Sequence, residues 1–323
     1  MKSLSWKRKT LKLPDGSTVE AIQPLVISAS RATDIPALYS EWLIDRFKQN
    51  FTVWTNPFNG KQQFIALDAV EIIAFWSKNP LPLLSRLHYF DSKNIGYFFH
   101  FTLNDYEAED FEPGIPSLDE RITQLKTLSQ TIGKEKVLWR FDPIIITPTL
   151  SPVAILEKIE RIGNEIAHYV NRLTISFLSR YPRAIRTMNS RGIFPHERTN
   201  ESISIIGEGL DRLSRHWNLP VVTCAEETYM RDFGIMSGSC IDPLYIMMQF
   251  PEHSLVKNIL SHYRENTLFG SEDSFYHSLK DPGQRPRCRC MISKDIGRYN
   301  TCTLGCLYCY AGGRQNHLRL SRP

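Results

Sequence analysis

Three cysteines near the end of the chain have a spacing that suits joint ligation of a metal centre. Cys302, Cys306 and Cys309 stand in TCTLGCLYCYA with the spacing C-x3-C-x2-C. Thiolates this close together on one loop can bind one cuboidal iron-sulfur cluster, and three ligands for four irons leave one iron open to another molecule. The pattern therefore predicts a [4Fe-4S] cluster at whose open iron chemistry takes place.

Two other roles remain open for these three cysteines. They can form a zinc knuckle that takes a ligand from elsewhere, or a disulfide with one spare thiol. Structural zinc sites usually pair C-x2-C units, whereas this chain has one such unit. We therefore expect a cluster in preference to zinc.

The remaining four cysteines are numerous enough to form a ligand set of their own. They are Cys224, Cys240, Cys288 and Cys290. Arg285, Arg287 and Arg289 alternate with the last two, and their charges would offset a site of four thiolates. The alternative is that these cysteines are small buried core residues. We expect these cysteines to form a second site, and we favour an auxiliary iron-sulfur cluster over structural zinc.

Polar residues that end or follow the apolar runs of the sequence are candidates for catalysis and cofactor binding. Arg31 and Arg140 can clamp a carboxylate with two hydrogen bonds, and Lys78 can act as a point charge. The candidate catalytic residues are Arg31, Asp34, Lys78, Arg140, Asp142 and Glu226, and the candidate cofactor-binding residues are Ser28, Asn56, Ser176 and Tyr308. Capping or anchoring of loops is the alternative role for each. A ring that mixes Arg, Lys, Asp and Asn suits a small zwitterionic or polar ligand.

The elements that must position these residues alternate between strands and helices. Apolar runs predict strands at residues 25–30, 51–56, 71–79, 96–104, 137–143, 172–177 and 220–226. Ser117 and Glu120 form a capping box before one helix, Ser151 and Pro152 begin another, and a third helix covers residues 201–217. About seven such units predict an α/β fold with a parallel TIM-type barrel, full or partial. A doubly wound open sheet is the alternative, although no G-x-G-x-x-G follows the first strand.

The order of these elements predicts three regions in the chain. Residues 1–24 form a basic N-terminal segment or hairpin, residues 25–287 form the barrel body, and residues 288–323 form a cysteine-rich segment that closes the barrel. Residues 290–297 read as one more strand, which we expect beside the first strand. The acidic residues between positions 104 and 114 predict a solvated face.

Composition indicates a folded protein of the cytoplasm. The chain has 323 residues, of which 42% are hydrophobic and 23% charged, and no apolar run approaches the length of a membrane span. The N-terminus has basic residues with no apolar segment behind them, so we expect no secretion signal. In the cytoplasm the seven cysteines are expected to serve metal binding or catalysis rather than disulfides. A net charge of +5 permits an anionic substrate.

A basic stretch before the cysteines supports a different class of function. Residues 284–302 carry five Lys or Arg residues against the single acid Asp295. These basic residues could hold nucleic acid, with Tyr299, Tyr308 and Tyr310 stacking on its bases. The alternative is that they are solvated charges with a few ion pairs. The alternative function is therefore a nucleic-acid-binding or redox-sensing protein with a structural iron-sulfur or zinc site.

Several motifs, taken in order, carry a resemblance to known families. ISASRATDIPALY, FWSKNP, WRFDP and QRPRCRCMISKDIG, followed by CTLGCLYCYA, resemble a bacterial and archaeal family of unknown function with radical-SAM-like cysteines at its C-terminus. The C-x3-C-x2-C spacing with Tyr308 before the third cysteine resembles the radical S-adenosylmethionine (SAM) superfamily. That resemblance implies that the open iron holds the amino and carboxylate groups of SAM and that Tyr308 lies against the adenine.

The resemblance also implies an activity. A radical SAM enzyme reductively cleaves SAM to a 5′-deoxyadenosyl radical, with electrons from a donor such as flavodoxin or ferredoxin, and here the substrate is an unknown small molecule or nucleic acid. Two features depart from the superfamily: the cysteines come last in the chain, and no G-G-E follows a strand. Glu226 or Asp142 could supply the carboxylate that would contact the amino group of SAM.

Overall fold

The fold is described from a computed structural model for residues 6–224, 228–267 and 271–312. Its smaller sheet contains four strands in the order β1-β2-β5-β4. These strands, numbered along the chain, are β1 (Lys7–Lys12), β2 (Thr18–Gln23), β4 (Phe51–Thr55) and β5 (Gln62–Ala66). The predicted N-terminal hairpin is confirmed, since β1 and β2 pair antiparallel, and β2 then pairs parallel with β5.

The larger sheet contains eight strands in the order β11-β10-β9-β8-β7-β6-β3-β12, and the pairings between neighbours are parallel. Its strands are β3 (Val26–Ala29), β6 (Ile72–Ser77), β7 (Gly96–Thr102), β8 (Val137–Ile144), β9 (Leu173–Phe177), β10 (Val221–Cys224), β11 (Met236–Gly238) and β12 (Lys294–Asp295). The α/β class and the parallel sheet are therefore confirmed. In the described residues the sheet ends at β11 and β12, which do not pair with each other.

One predicted strand forms, but it belongs to the smaller sheet and not to the parallel sheet where it was expected. Residues 51–56 are apolar enough for a strand, and β4 forms there, but it pairs antiparallel with β5 in the smaller sheet. Local apolar character predicts that a segment is extended, whereas its partner depends on which distant edge is free. Asn56 consequently lies in the turn between β4 and β5 and not at the end of a strand of the larger sheet.

The helices fill both faces of the larger sheet. They are α1 (Ile35–Leu38), α2 (Ser40–Gln49), α3 (Leu81–Leu84), α4 (His88–Asp91), α5 (Leu118–Ile132), α6 (Pro152–Ile166), α7 (Pro182–Asn189), α8 (Asn200–Trp217), α9 (Pro243–Gln249), α10 (Ser254–Thr267) and α11 (Glu272–Leu279). The predicted capping box of Ser117 and Glu120 begins α5, and Ser151 with Pro152 begins α6. No helix in the described ranges is long and apolar enough to cross a membrane.

Alternate residues of the strands pack into two separate cores because successive side chains point to opposite faces. Phe75, Phe99 and Trp139 belong to the core that also contains the apolar residues of α5, α6 and α8. Ala74 and Phe98 belong to a second core, which contains residues of α9 to α11 and the four cysteines at positions 224, 240, 288 and 290. We call the face with the second core the inner face.

The final strand lies beside the first strand of the larger sheet, as predicted. Lys294 and Asp295 of β12 pair with Ile27 and Ser28 of β3, and the backbone N–H of Ile296 donates to the Ser28 carbonyl at 3.1 Å. This pairing brings the end of the chain to the C-terminal end of β3. The cysteine motif follows a few residues later and is delivered to the same edge of the sheet.

Candidate functional site

Residues 301–312, which we call the cysteine loop, are held on one side by the connection between β3 and α1. The hydroxyl groups of Thr33 and Thr301 lie 2.7 Å apart, and Tyr39 donates its hydroxyl hydrogen to the Thr301 carbonyl at 2.8 Å. The Tyr310 hydroxyl donates to the carbonyl oxygen of Arg31 at 2.9 Å. Both ends of the cysteine loop are therefore anchored at the C-terminal end of β3.

The connection between β7 and α5 holds the cysteine loop on its other side. The backbone N–H of Leu307 donates to the Phe111 carbonyl at 2.9 Å, and the N–H of Gly114 donates to the Leu304 carbonyl at 3.0 Å. A side chain at Gly114 has no room, because a Cβ atom there would lie 2.5 Å from the Leu304 oxygen. The cysteine loop is thus fixed between two connections that leave the C-terminal edge of the parallel sheet.

The three thiols of the cysteine loop are partly buried and act on one another electrostatically. Burial raises the pKa of Cys302 to about 11, and the charges of Asp34 and Cys309 add to this effect. Burial also raises the pKa of Cys306, which Lys78 opposes, while Cys309 and Cys302 raise it further. The N–H of Gly312 donates to the Cys309 sulfur at 3.2 Å. Metal ions would reverse these shifts because coordination deprotonates a thiol.

The donor set of the cysteine loop consists of three thiols, which are ligands for both iron-sulfur clusters and zinc. Within residues 6–224, 228–267 and 271–312, no group of three or more His, Cys, Asp or Glu side chains is arranged to hold a metal ion. Tetrahedral zinc needs sulfur atoms about 3.8 Å apart, since zinc-sulfur bonds are about 2.3 Å long. In a cuboidal cluster each cysteine binds a different iron, so the sulfur atoms are more widely separated. Three thiols on one loop match a cluster in donor type and number, with one iron left without a protein ligand.

A buried carboxylate that sequence reasoning missed lies beside the cysteine loop. Glu112 is 7% exposed and accepts hydrogen bonds from Lys78 Nζ at 2.6 Å and from the Tyr308 hydroxyl. Asn104 Nδ2 donates to the same carboxylate at 3.1 Å, and Arg121 Nη1 lies 3.7 Å away. Burial acts to raise the pKa of Glu112, but Lys78 and Arg121 outweigh burial and lower it. The prediction that this acidic segment is a solvated face is therefore wrong at Glu112.

Tyr308 is positioned by this network. Its hydroxyl contacts Glu112 and accepts from Asn104 Nδ2 at 3.1 Å, while Lys78 Nζ lies 5.6 Å from the centre of its ring. The ring also packs edge-on against Tyr106, with centroids 6.4 Å apart. Lys78 and Tyr308 were both predicted as site residues, and the structure brings them together.

Arg31 and Ser28 meet at the end of β3. The Ser28 hydroxyl donates to Asp295 at 3.0 Å, and Arg31 Nη1 donates to the Ser28 oxygen at 3.3 Å. The Arg31 guanidinium lies 5.0 Å from the centre of the Trp76 ring. Its Nη2 atom is buried and has no hydrogen-bond acceptor among the described residues. The guanidinium therefore lies on the inner face and can donate a further hydrogen bond.

Arg140, Asp142 and Ser176 form a second polar group on the inner face. Arg140 Nε donates to Asp142 at 3.1 Å, and Ser176 donates its hydroxyl hydrogen to the same carboxylate. Asn104 joins this group to the cysteine loop, since its Oδ1 accepts from the Asp142 N–H at 2.9 Å while its Nδ2 donates to Tyr308. The three predicted residues are thus connected with one another and with the cysteine loop.

Asp34 and Asn56 have local structural roles, and Asp34 also lies beside Cys302. Asp34 accepts from the N–H of Ala37 at 3.0 Å and of Lys78 at 2.8 Å, so it caps α1 and fixes the end of β6. Burial raises the pKa of Asp34 to about 6. Asn56 accepts from the N–H of Phe58 at 2.9 Å within its own turn. Glu226 lies outside the described residues.

The four remaining cysteines meet at the inner face. The sulfur atoms of Cys224 and Cys240 are 3.2 Å apart. The Cys290 thiol interacts with the thiols of Cys240 and Cys288, so the four form a connected group. Arg140 Nη1 donates to the Cys240 sulfur at 3.0 Å. We call these residues the four-cysteine group.

The basic residues that precede the cysteine loop make internal contacts. Arg289 pairs with Asp273 at 2.8 Å and lies 4.0 Å from the centre of the Tyr276 ring. Lys294 is buried, with its Nζ atom 3.4 Å from the centre of the Trp54 ring. These contacts direct two of the basic side chains into the fold, which weakens the case for a nucleic-acid surface here.

A cavity of about 480 Å³ opens beyond the ends of β8 and β9. Phe177, Ser179, Arg180 and His196 are among its lining residues. Ser179 also accepts a hydrogen bond at 3.1 Å from Arg285, whose Nη2 lies 4.0 Å from the Cys224 sulfur. The cavity is therefore adjacent to the four-cysteine group, and its lining, in which Glu197 pairs with Arg180, suits a polar ligand.

These features define an α/β protein with a parallel eight-stranded sheet and a cysteine loop at the C-terminal edge of that sheet. The chain belongs to the family described as Domain of unknown function (DUF1848), whose profile matches residues 26–311. The match covers the larger sheet and the cysteine loop to Ala311. Comparisons with curated proteins and with solved structures gave no match.

Proposed function

We propose that this protein is an iron-sulfur enzyme of the radical SAM type, in which Cys302, Cys306 and Cys309 ligate a [4Fe-4S] cluster. The observation that supports this most is the anchoring of the cysteine loop by the connections that follow β3 and β7. Active sites of parallel α/β barrels lie at this edge of the sheet. When bound, the cluster supplies the electron for reductive cleavage of SAM, which starts radical chemistry on the substrate.

The residues around the cysteine loop have separate roles in this proposal. Lys78 favours the thiolate of Cys306 against burial, and Glu112 fixes both Lys78 and the Tyr308 hydroxyl. Tyr308 then presents its ring for the adenine of SAM. Arg31 offers a buried guanidinium with an unused donor, which suits a carboxylate. The electron donor is a flavodoxin or ferredoxin, and the substrate is polar, as the cavity lining suggests.

We also propose that the larger sheet closes into a full or partial TIM-type barrel. The segments beyond its two edge strands meet: the N–H of Met291, before β12, donates to the Ile241 carbonyl, after β11, at 3.0 Å. Such contact requires the sheet to curl until its edges approach. A crystal structure in which residues 239–241 and 289–291 lie on separate sides of a flat sheet would contradict closure.

The first test is the iron content of single alanine variants. Cys302→Ala, Cys306→Ala and Cys309→Ala should each lose the oxygen-sensitive cluster spectrum of the cysteine-loop site after anaerobic reconstitution, because each thiolate binds a different iron. Thr303→Ala is a matched control, since Thr303 is an exposed residue of the same loop and should leave the cluster intact. Retention of that spectrum by the cysteine variants would refute the ligand assignment.

The second test is SAM cleavage. Dithionite-reduced protein should release 5′-deoxyadenosine slowly without its substrate, and addition of SAM should change the EPR spectrum of the reduced cluster at its open iron. A full, reducible cluster that does neither would exclude radical SAM chemistry and favour a sensor or a binding protein.

A further inference from the structure

The four-cysteine group lies apart from the cysteine loop and is not used by the proposed reaction. Its members are Cys224 at the end of β10, Cys240 after β11, and Cys288 and Cys290 before β12. All four are buried, at 8%, 6%, 7% and 2% exposure respectively. Four thiols from three separate parts of the chain thus come together on the inner face, although small apolar residues would fill the same space.

Hydrogen-bond donors surround the sulfur atoms of this group. The N–H groups of Cys240 and Ile241 donate to the Cys290 sulfur at 3.2 and 3.4 Å, and the N–H of Cys290 donates to the Cys288 sulfur at 3.4 Å. Arg140 donates to Cys240 at 3.0 Å. Donors directed at sulfur favour thiolates over thiols, and such hydrogen bonds are the protein contribution that tunes sulfur-ligated metal centres.

Three guanidinium groups lie around the four-cysteine group. Arg140 is buried beside it, the Nη2 atom of Arg31 is buried, and the exposed Arg285 lies 4.0 Å from the Cys224 sulfur. Burial acts to lower the pKa of Arg31, but negative charge on Cys290, Asp295, Cys240 and Cys288 outweighs it and raises that pKa. Buried guanidinium groups need anionic partners. Asp142 pairs with Arg140 and Asp295 lies beside Arg31, so these guanidinium groups stabilise ionised sulfur nearby without requiring it.

The thiols of the four-cysteine group form a row of contacts. Cys224 contacts Cys240, Cys240 contacts Cys290, and Cys290 contacts Cys288, which is a row of pairwise contacts. As stated above, no three such side chains in the described residues are arranged to hold a metal ion. A single zinc ion needs four sulfur atoms around one point, and an iron-sulfur cluster needs them further apart than the 3.2 Å between Cys224 and Cys240, so either centre requires these side chains to rearrange on binding.

We propose that Cys224, Cys240, Cys288 and Cys290 ligate a second, auxiliary iron-sulfur cluster on the inner face. Arg31, Arg140 and Arg285 offset its negative charge, and four protein ligands leave its irons closed to SAM. This proposal does not depend on the radical SAM reaction, because its ligands are a different set of cysteines. A molecule bound in the cavity beside Ser179, which accepts a hydrogen bond from Arg285, would lie near the second cluster.

The test uses the full chain with one set of cysteines removed at a time. The variant with Cys302, Cys306 and Cys309 changed to alanine should retain iron and acid-labile sulfide after anaerobic reconstitution, and SAM should not alter its EPR or Mössbauer spectrum. The variant with Cys224, Cys240, Cys288 and Cys290 changed to serine should lose the iron of the second cluster. It should retain the SAM-sensitive EPR signal of the cluster on the cysteine loop. If the cysteine loop binds no cluster, the serine variant lacks iron while the alanine variant still retains it.

Other results would overturn the proposal. A folded alanine variant that contains no iron, or that contains zinc in place of iron, rules out an auxiliary cluster. So does a disulfide between Cys224 and Cys240 in anaerobically isolated protein, found by mass spectrometry after alkylation. If the serine variant does not fold, alkylation of the alanine variant decides the question: all four thiols should be protected until iron is chelated, and reaction before chelation contradicts the proposal.

Discussion

At the residue scale, the site depends on a few buried charges that balance one another. Glu112 stands between Lys78 and Arg121, whose side chains are 12% and 0% exposed, and it also receives the Tyr308 hydroxyl. Removing one member of such a group leaves the others charged and unpaired in a region that water does not reach, which costs more than the pair contributes. The identity of each residue in the group is therefore more constrained than its individual hydrogen bonds suggest.

Replacement of this carboxylate should produce a loss of stability that depends on pH. Glu112→Gln should lower the free energy of unfolding by about 3 kcal/mol at pH 7, because Lys78 and Arg121 lose their counter-charge. The folded pKa of Glu112 is lowered, so its contribution is present above the unfolded value of about 4.3 and is lost as pH falls through the folded value. Urea unfolding should show the two proteins converging below about pH 4.

The control for this prediction lies in the same segment. Asp110 is exposed, so Asp110→Asn should leave stability within about 0.5 kcal/mol of wild type at each pH. An equal loss for both variants, or a Glu112→Gln difference that persists at acid pH, would show that burial of the charge is not the cause.

The two parts of the Tyr308 side chain should have separable effects. Tyr308→Phe keeps the ring but loses the hydrogen bonds to Glu112 and Asn104, so stability should fall by about 1 kcal/mol while SAM affinity changes little. Tyr308→Ala removes the stacking surface and should weaken SAM binding about tenfold or more. Anaerobic titration of reconstituted protein with SAM measures both. Equal affinity losses in the two variants would mean that the ring does not contact the adenine.

At the scale of elements, the sequence predicted most strands and helices but not every partner. Apolar runs that end in polar residues marked the strands from β6 to β10, and capping residues marked the starts of α5 and α6. The acidic segment after β7 was expected in solvent, since five acids in a short loop are typically solvated. Its burial at Glu112 depends on Lys78 and Arg121, which belong to other elements, and a local pattern cannot show such pairings.

Close backbone contact between this segment and the cysteine loop leads to a prediction at the same scale. Gly114→Ala would place a Cβ atom 2.5 Å from the Leu304 carbonyl oxygen, so Leu304 must move, and Cys302 and Cys306 flank it. Reconstituted protein should therefore hold less iron at the cysteine-loop site. Gly192→Ala is the control: its positive φ of 75° costs about 1 kcal/mol of backbone strain, but no atom lies within 4 Å. Similar iron loss in both variants would point to general destabilisation.

At the scale of the whole molecule, the topology brings the two groups of cysteines to one region. Because β12 pairs with β3, the residues before β12 reach Cys240 and the residues after it reach Asp34. Asn104, Asp142 and Arg140 then connect Tyr308 of the cysteine loop with Cys240 of the four-cysteine group. The residue types in both groups could be predicted from the sequence. Their connection could not, because it depends on which strands become neighbours.

This arrangement predicts how cluster binding changes the stability of the molecule region by region. A ligand that binds only the native state suppresses local opening of the elements that hold it. Hydrogen exchange of wild type and of the Cys302, Cys306 and Cys309 alanine variant, both reconstituted anaerobically, isolates the effect of the cluster on the cysteine loop. Exchange should slow by about tenfold or more, equivalent to about 1.4 kcal/mol, in the cysteine loop and in the connections after β3 and β7 that hydrogen-bond to it. Helix α10 serves as an internal control because it belongs to the second core, which contains no described residue of the cysteine loop, and its exchange should not change. If exchange slows only in the cysteine loop, the connections after β3 and β7 do not transmit the stabilisation. If exchange slows uniformly, the cluster stabilises the fold as a whole and not this edge of the sheet.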